Sequence, residues 1–486
     1  MEISAQNREA AFLEIMRKAP AEEPERQYYF MDRVRDLVEE KKADGYGAKF
    51  MVNVIGCQMS AKDGEKLGGI LEACGYTESQ DDRDCDVILF TTCTVRENAN
   101  QKLYGRIGRL KHQVENRPGM VLGITGCMMQ EAEEVETIRK KYPYVKLIFG
   151  THNVYKLAEL LFETLWKDTR TVEVIEDTKL IVENLPSERK FRFKASVNIS
   201  YGCNNFCTYC IVPYVRGREK SRNARDILQE CERLVKDGVK EITLLGQNVN
   251  SYGNDLADGA VSFPELLRMV AAIPGLRRIR FMTSNPKDLS DELIRVMKEE
   301  PKICRHLHLP LQSGSSSLLK RMNRHYTKES YLALVRKIRE ELPDMSLTTD
   351  IIVGFPGETD ADFQDTIDVV KEAKYDSAFT FIYSKRSGTP AAAWEPVDPE
   401  VVKTRFSQLL EVVKQSSAEN EGKDEGRTME VLVEEKDNEK PGFLTGRLSN
   451  NILVHFEGSE DLIGELVSVR LDKSMGFYYY GTLVSE

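Results

Sequence analysis

The stretch Tyr201-Gly202-Cys203-Asn204-Asn205-Phe206-Cys207-Thr208-Tyr209-Cys210 places three cysteines on one short loop. Their C-x-x-x-C-x-x-C spacing suits three irons of a cubane iron–sulfur cluster, and it leaves the fourth iron without a protein ligand. An iron with an open position is a binding site. The spacing therefore predicts a cluster on Cys203, Cys207 and Cys210 whose fourth iron takes a ligand from outside the protein.

Two other interpretations of the loop are weaker. A zinc site normally takes four Cys or His ligands in two close pairs, and no second pair follows at the usual distance. Cysteines that only fill a core seldom cluster three within eight positions of a loop containing Gly and Asn. The iron–sulfur interpretation is favoured over both.

Length and composition limit the class of protein. A chain of 486 residues predicts two or three domains with ample cores. The amino-terminal residues are charged with no apolar segment, so we expect no signal peptide. No apolar run is long enough to cross a bilayer, so we expect a cytoplasmic protein without a membrane partner. In that compartment the ten cysteines are expected to be ligands and thiols rather than disulfides.

The net charge of −10 argues against a protein that holds nucleic acid by a broad positive surface. Contact with RNA would need local basic patches. One candidate patch follows the cysteine loop, with cations at alternate positions: Arg216, Arg218, Lys220 and Arg222. A solvated polar edge explains the same pattern equally well, so composition leaves both interpretations open.

A strand–helix pattern repeats three times from residue 49. The apolar runs are residues 50–56, 87–92 and 120–126, and the cysteines that follow them are Cys57, Cys93 and Cys127. Such repeats predict a parallel sheet whose strands end along one edge, where ligands bind. The three thiols would converge there and could hold a second cluster. The alternative is that each cysteine is a small core residue at a strand end.

The second half of the chain alternates apolar strands with helices. Six strand candidates predict an open or partial (β/α) barrel; they are residues 195–200, 241–245, 278–283, 305–311, 346–353 and 378–383. Polar or Gly-rich loops follow these strands, on the face where barrel enzymes keep their active sites. Residues 168–192 are predicted to form a connector with a hairpin.

The C-terminal residues have a different composition. Five short β-type runs after Thr428 predict a small all-β barrel of the kind that binds oligonucleotides. Residues 477–480 are all aromatic, and alternation along a strand would send only half of these side chains outward. The predicted domains are a charged extension at 1–48, an α/β sheet domain at 49–165, the partial barrel at 189–420 and the small barrel at 424–486.

One further set of candidate ligands lies in the barrel. Cys304, His306 and His308 alternate, so on a strand they would share one face and could bind zinc. With no fourth ligand in the sequence, packing in the barrel interior with hydrogen-bonded imidazoles is favoured.

Several motifs together resemble those of the radical S-adenosylmethionine (SAM) methylthiotransferases. They are Gly56-Cys57-Gln58-Met59, Thr92-Cys93-Thr94-Val95-Arg96-Glu97-Asn98-Ala99, Gly126-Cys127, the Cys203 to Cys210 loop and Ile211-Val212-Pro213-Tyr214-Val215-Arg216-Gly217-Arg218. The resemblance spans residues 49–486, and residues 95–99 are similar to the subgroup that modifies isopentenylated tRNA. Ser60 and Thr91 stand where the family often has Asn. In this family the C-terminal domain is an RNA-binding TRAM domain, OB-like in fold.

The resemblance implies an α/β enzyme with two 4Fe–4S clusters that uses SAM. The cluster on Cys203, Cys207 and Cys210 would cleave SAM, and the resulting radical would take hydrogen from carbon 2 of N(6)-isopentenyladenosine at tRNA position 37. The cluster on Cys57, Cys93 and Cys127 would supply the sulfur, methylated by a second SAM. Tyr209, Ile352 and Val353 are candidates for packing the adenine of SAM. Implied partners are tRNA and an electron donor of the flavodoxin or ferredoxin type, with the enzyme a monomer.

Other functions stay open. Relatives in the family act on threonylcarbamoyladenosine in tRNA or on a ribosomal-protein aspartate. A different class would be an iron–sulfur or RNA-binding protein with no turnover. The polar loops at the barrel rim argue against that class, because a carrier needs no SAM pocket.

Overall fold

The computed structural model describes residues 5–43, 45–94, 97–257 and 261–484. The chain divides into two compact units. The first unit comprises Met1–Lys190 and Ile211–Arg218, and the second comprises Phe191–Cys210 and Glu219–Glu486. The segment that follows Cys210 therefore belongs, by its contacts, to the first unit.

A six-stranded parallel sheet forms the centre of the first unit. Its strands are β1 (Lys49–Ile55), β2 (Thr77–Glu78), β3 (Val87–Thr92), β4 (Val121–Gly126), β5 (Leu147–Phe149) and β6 (Thr171–Glu173). They are arranged in the order β2-β1-β3-β4-β5-β6. Every residue of β3 and β4 is buried, as expected for parallel strands covered on both faces. The predicted parallel α/β sheet is confirmed.

The predicted hairpin in residues 168–192 is wrong. Thr171–Glu173 instead pairs in parallel with β5 and becomes the edge of the sheet, and no strand follows before β7 at residue 194 in the described structure. Pairing with an existing sheet edge satisfies the backbone hydrogen bonds that a hairpin partner would otherwise supply.

Seven helices of the first unit are described. They are α1 (Ala5–Lys18), α2 (Glu25–Lys42), α3 (Gln58–Ala73), α4 (Glu97–Asn116), α5 (Ala132–Lys141), α6 (Leu157–Lys167) and α7 (Val212–Val215). The charged extension thus forms two helices that pack against α6. Phe30 contacts Phe162 with ring centroids 5.6 Å apart, and Arg26 forms a two-pronged ion pair with the buried Glu159 at 2.7 and 3.0 Å.

The second unit contains the partial barrel, built from two parallel three-stranded halves in the orders β11-β10-β7 and β12-β13-β14. Its strands are β7 (Lys194–Asn198), β8 (Ser200–Tyr201), β9 (Lys220–Ser221), β10 (Glu241–Leu245), β11 (Arg278–Phe281), β12 (His306–His308), β13 (Ser346–Val353) and β14 (Ser377–Ile382). A single bridge between Ile279 and Ile303 joins the halves, and β8 pairs with β9 across the cysteine loop. The predicted partial (β/α) barrel is confirmed.

Seven helices of the second unit are described. They are α8 (Ala224–Lys236), α9 (Phe263–Ala271), α10 (Asp291–Glu299), α11 (Ser316–Arg321), α12 (Lys328–Glu341), α13 (Asp360–Ala373) and α14 (Pro399–Ala418). The local sequence fixes several helix starts. Asn223 caps α8 through a hydrogen bond from the Arg225 backbone, and Thr359 and Asp362 form a capping box at α13.

The C-terminal residues form a small closed all-β barrel, as predicted. Neighbouring strands of this barrel are antiparallel except for one parallel pair. Its strands are β15 (Thr428–Lys436), β16 (Phe443–Leu448), β17 (Leu453–Glu457), β18 (Leu466–Ser474) and β19 (Tyr478–Leu483), in the order β15-β16-β17-β19-β18. Along β19, Tyr479 is buried in the barrel core between the half-buried Tyr478 and Tyr480, while Phe477, which precedes the strand, is 82% exposed. Tyr478 and Tyr480 contact His455 on the outer side.

Two arginines of β11 in the large barrel attach the small barrel to it. Arg278 donates to the backbone oxygens of Arg447 and Glu430, and Arg280 donates to those of Leu448 and Ser449. Glu241 is almost fully buried and lies 3.0 Å from Arg280, so its carboxylate neutralises part of the positive charge of the two arginines. The docking of the small barrel therefore depends on a buried ionic cluster.

Removal of the central carboxylate should destabilise this junction. Glu241→Ala leaves buried cations without their partner, so we expect the second unit to lose about 3–5 kcal/mol of stability. Hydrogen exchange of β10, β11 and β15 measures the effect. Glu430→Ala is the matched control, because its half-exposed carboxylate contacts the same Arg278 and is expected to contribute less than about 1 kcal/mol. Equal effects of the two variants would contradict the burial argument.

Candidate active site

The backbone of the cysteine loop is fixed by the segment that follows α11. Asn323 donates through its amide to the backbone oxygens of Asn205 and Phe206, at 3.0 and 3.1 Å. Thr208 bonds to the backbone of Met322 at 3.1 Å and to that of Arg321 at 3.0 Å. Phe206 has a positive φ of 46°, a strained value that these bonds hold in place. The loop is thus preorganised by the protein itself.

The three thiols of this loop are screened from bulk water to different degrees. Cys203 and Cys207 are buried, and Cys210 is half-buried. The guanidinium of Arg324 lies 3.5 Å from the Cys207 sulfur and also donates to the Tyr326 hydroxyl at 3.0 Å. Burial raises the pKa of the Cys203 thiol. A fixed cation beside Cys207 offsets the cost of holding thiolates in this environment.

Two of the predicted adenine-packing residues, Ile352 and Val353, lie on opposite faces of β13. Tyr209 and Ile352 are partly buried and pack against one small apolar cluster, with the Tyr209 ring centroid 6.3 Å from that of Phe355. Val353 is fully buried in the main core between barrel and helices. Because side chains alternate along a strand, Val353 faces away from the cluster that contains Tyr209. Of the three candidates, only Tyr209 and Ile352 therefore share this cluster.

Buried polar atoms without partners gather where the barrel strands end. They follow or end β7, β10 and β11, and none has a hydrogen-bond partner within the described chain: Asn198 Oδ1, Ser200 Oγ, Gln247 Oε1, Asn250 Oδ1 and Ser284 Oγ. Such atoms cost free energy unless a ligand or water completes their bonds. This rim is therefore suited to a polar ligand such as SAM.

Backbone strain accumulates at the same rim. Thr283, just after β11, has a φ of 71°, and Gln312 has a φ of 66°. A β-branched residue in the left-handed region is a genuine outlier, and such strain concentrates at ligand sites. These observations place a ligand site at the carboxyl ends of the strands, where barrel enzymes bind their substrates.

The second group of cysteines lies at the ends of three adjacent strands of the first unit. Ile55 pairs with Thr92, and Thr92 pairs with Gly126, so the three strands end in register. Cys93 and Cys127 follow these paired residues directly, and Cys57 follows Ile55 by two positions. Gly126 permits the approach, because its φ is 105° and a Cβ there would lie 2.4 Å from the Thr92 oxygen. The predicted convergence of the three strand ends is confirmed.

A buried arginine completes this second group. The Nε of Arg216 lies 3.2 Å from the Cys127 sulfur, and its Nη2 lies 2.8 Å from the Asp63 carboxylate. The hydrogen bond from Cys93 lowers the pKa of Cys57 to about 5, with a further contribution from the charge of Arg216. Burial raises the pKa of Cys127, and Arg216 opposes that effect. The environment thus favours thiolates, which are the metal-binding form of cysteine.

The predicted basic patch lies only partly at the surface. In the predicted basic patch, Arg216 and Arg222 are both buried, the latter paired with Glu230 at 2.8 Å. Arg218 is exposed and Lys220 half-exposed. A row of four surface cations is therefore wrong. The residues missed as parts of the site are Arg216, Asp63, Asn323 and Arg324, and only the first lies within a motif singled out beforehand.

Both cysteine groups have the donor chemistry of iron–sulfur sites. Among the described residues, no three His, Cys, Asp or Glu side chains converge closely enough to hold a single metal ion. A cubane needs a wider arrangement, because each thiolate binds a different iron.

The predicted hydrogen bonds of the two barrel imidazoles are present: a ring nitrogen of His306 lies 3.1 Å from the Thr348 hydroxyl, and one of His308 lies 3.0 Å from it.

A buried hydroxyl beside the second group offers a stability test. Thr91 Oγ1 has no partner within the described residues, whereas Thr125, its register partner on β4, donates to the Gly150 oxygen at 3.3 Å. Thr91→Val should stabilise the first unit by about 1 kcal/mol, and Thr125→Val should destabilise it by a similar amount. Denaturant unfolding of both variants measures this difference. A loss of stability in Thr91→Val as large as that in Thr125→Val would contradict it.

Three known families match successive parts of the chain. Residues 49–150 match the Uncharacterized protein family UPF0004, residues 197–370 match the Radical SAM superfamily, and residues 422–484 match the TRAM domain. These ranges contain, respectively, the group of Cys57, Cys93 and Cys127, the cysteine loop with its barrel, and the small barrel.

Curated relatives match nearly the whole chain. One from Lachnoclostridium phytofermentans, named tRNA-2-methylthio-N(6)-dimethylallyladenosine synthase, is 56% identical over 450 residues, covering 92% of this chain and 98% of its own length. The chain belongs to this synthase family. A second synthase, from Acetivibrio thermocellus, is 50% identical over 465 residues, covering 95% of this chain and 97% of its own. The predicted resemblance to radical SAM methylthiotransferases is confirmed.

Solved structures show that the synthase family shares its fold with other radical SAM enzymes. The methyltransferase TsrM from Kitasatospora setae, with cobalamin and a 4Fe-4S cluster bound, gives a TM-score of 0.52 at 15% identity and covers 71% of this chain and 77% of its own. OxsB with aqua-cobalamin and SAM bound gives 0.50 at 13% identity, covering 77% and 57%. Similarity at this identity concerns the fold alone.

Val95 and Arg96 of the predicted subgroup motif lie outside the described residues.

A helix that crosses a bilayer must be both long and apolar. In the part of the chain that the structure describes, no helix meets both requirements.

Proposed function

We propose that the protein adds a methylthio group to carbon 2 of N(6)-isopentenyladenosine at tRNA position 37, using SAM and two 4Fe–4S clusters. The observation that carries this proposal is the joint presence of two cysteine groups in a chain 56% identical to a relative named for that product. A carbon of an aromatic ring has no acidic proton, so acid–base catalysis cannot functionalise it. Radical chemistry can, and that requires an electron source and a sulfur source.

When bound, the two clusters and SAM supply the electron, the 5'-deoxyadenosyl radical and the sulfur. Cys203, Cys207 and Cys210 would hold the SAM-cleaving cluster, and Cys57, Cys93 and Cys127 would hold the sulfur-supplying one. Asn323 keeps the cysteine loop in its strained conformation, so that the thiols need no rearrangement to bind iron. The lowered pKa of Cys57 favours the thiolate that iron requires.

The partnerless atoms at the barrel rim would bind the polar groups of SAM. Asn198, Ser200 and Ser284 offer buried oxygens that a bound amine or hydroxyl would satisfy. Tyr209 and Ile352 would pack the adenine, because their side chains share one apolar cluster. Val353, the third candidate, is buried in the main core and would support β13 from the opposite face.

Each predicted domain takes a separate role in this proposal. We assign residues 49–165 to sulfur insertion, 189–420 to SAM cleavage and 424–486 to tRNA contact. On the small barrel, the exposed Phe477 and the outer Tyr478 and Tyr480 can stack on bases. Within residues 1–48, α2 braces α6 through Arg26 and Glu159, and α1 contacts α6 through the rings of Phe12 and Phe162. The expected electron donor is a flavodoxin or ferredoxin, and the enzyme is expected to act as a cytoplasmic monomer.

Product analysis tests the proposal directly. Protein reconstituted with iron and sulfide is incubated with reductant, SAM and an anticodon stem-loop carrying isopentenyladenosine, and nucleosides are analysed by mass spectrometry. The expected product is 2-methylthio-isopentenyladenosine. Parallel reactions contain a stem-loop with threonylcarbamoyladenosine or a ribosomal-protein peptide with the target aspartate. Methylthiolation of either in place of the first substrate would overturn the substrate assignment.

A second arm separates an enzyme from a carrier. Bulk tRNA from a deletion strain should lack the 2-methylthio nucleoside, and persistence of that nucleoside would contradict the assignment. The absence of 5'-deoxyadenosine in the reconstituted reaction would favour the carrier. The polar rim of the barrel supports turnover, since a carrier has no use for a SAM pocket.

A further inference from the structure

Arg216 is a buried cation held against one of the proposed cluster ligands. Its side chain is 7% exposed, with Nε 3.2 Å from the Cys127 sulfur and Nη2 2.8 Å from the Asp63 carboxylate. The segment around it is anchored within the first unit. Ile211 and Val215 pack with Cys127, and the Thr151 hydroxyl donates to the Val215 oxygen at 2.7 Å.

This placement excludes a contact with RNA. A guanidinium that is buried and paired with a carboxylate cannot also reach a phosphate, so the surface role suggested by the basic sequence does not apply to Arg216. Burial of a cation costs several kcal/mol unless charge and hydrogen bonds compensate it. Asp63 and the Cys127 sulfur supply this compensation for Arg216.

The charge of Arg216 is permanent, because a guanidinium does not lose its proton in proteins. Asp63 neutralises one side of it, and the other side faces sulfur. An iron–sulfur cluster becomes more negative when it gains an electron. Net charge and hydrogen bonds to the ligand sulfurs are two of the factors that set the reduction potential of such a cluster. A fixed cation at 3.2 Å from a ligand sulfur stabilises the reduced form.

We infer that Arg216 is a positioning residue that raises the reduction potential of the cluster on Cys57, Cys93 and Cys127. This inference rests on the proposed function, because it assumes that these cysteines hold a cluster. It extends that proposal, because Arg216, six residues after Cys210, would act on the cluster of the other cysteine group. The loop that carries one set of ligands thereby continues into the residue that tunes the other set.

The test measures potential rather than activity. In the full chain carrying C203A, C207A and C210A, the remaining cluster is titrated with dithionite and followed by electron paramagnetic resonance. Arg216→Gln should lower the midpoint potential so that the oxidised-to-reduced ratio at a fixed potential rises about tenfold, or ~59 mV for a one-electron couple. Arg216→Lys retains the charge and should restore most of the shift. Asp63→Asn removes a negative charge and should move the potential upward.

Arg117→Gln is the matched control. Arg117 also pairs with a buried carboxylate, Asp86, in the same unit, but Asp86 precedes β3 at the edge opposite to Cys93. Its variant should leave the potential unchanged.

An unchanged potential in Arg216→Gln would overturn the inference while leaving the proposed function intact. If Arg216→Gln assembles no cluster, the sign of the shift in Asp63→Asn decides: an upward shift supports the inference, and no shift or a downward shift refutes it. A parent protein that holds no cluster on Cys57, Cys93 and Cys127 would instead refute the proposed function.

Discussion

Cys207→Ala is expected to reduce the cleavage of SAM to background in the reconstituted protein. Cys207 is buried, and its sulfur lies 3.5 Å from Arg324 in a loop that Asn323 holds rigid. Loss of one thiol from a set of three leaves two irons without a protein ligand, so the cluster should not persist with an open iron. Chromatographic measurement of 5'-deoxyadenosine in the presence of dithionite and SAM gives the readout.

Cys231→Ala is the control for this variant. Cys231 is a fully buried thiol on α8 of the same unit, where it packs in the main core. Its removal should cost some stability and leave SAM cleavage in place. Formation of 5'-deoxyadenosine by Cys207→Ala at the rate of Cys231→Ala would show that the cysteine loop does not hold the SAM-cleaving cluster.

Cys93→Ala is expected to abolish methylthiolation while sparing part of the SAM cleavage. Cys93 belongs to the first unit, at the end of β3, and the cysteine loop with its barrel belongs to the second. A variant that lacks one ligand of the sulfur-supplying cluster retains every residue that we assign to SAM cleavage. The two products, 5'-deoxyadenosine and the methylthio nucleoside, are measured in one reaction.

Cys74→Ala serves as the control in the first unit, because this fully buried thiol lies at the end of α3 within a hydrophobic core. It should retain both activities. Equal loss of the two activities in Cys93→Ala and in Cys207→Ala would contradict the division of labour between the two cysteine groups.

Much of the fold follows from local patterns. Strands β1, β3 and β4 and the six strands of the large barrel's two halves are predicted by apolar runs of five to eight residues that end at Gly, Cys or polar loops. Parallel pairing then brings the ends of β1, β3 and β4 together. The spacing of the three cysteines in the loop predicts a cluster site from the sequence alone. These features depend on residues close in sequence or on the regular geometry of strand–helix repeats.

The errors share a different cause. Arg216 looked like a surface cation, because its partner Asp63 lies 153 positions earlier in the chain and a charge pattern cannot reveal burial. The hairpin was replaced by a strand that joins a distant sheet edge. In each case a contact between residues far apart in sequence decided the outcome.

The positions of Asn323 and Arg324 could not be anticipated for the same reason. They follow α11, more than one hundred residues after the loop that they hold, and their motif carries no cysteine. The Gly and Asn residues of the cysteine loop indicate a turn, but they do not indicate which distant residues bond to that turn. The conformation of the ligand loop is thus set by tertiary contacts that support a sequence already capable of binding iron.

The account depends on two separate clusters, and quantification of iron and sulfide with Mössbauer spectroscopy tests this most directly. The reconstituted wild-type chain should contain about eight irons and eight sulfides, and the C57A/C93A/C127A and C203A/C207A/C210A variants should each contain about four of both, as 4Fe–4S clusters. A wild-type chain with about four irons, or a triple variant with the wild-type content, would contradict it.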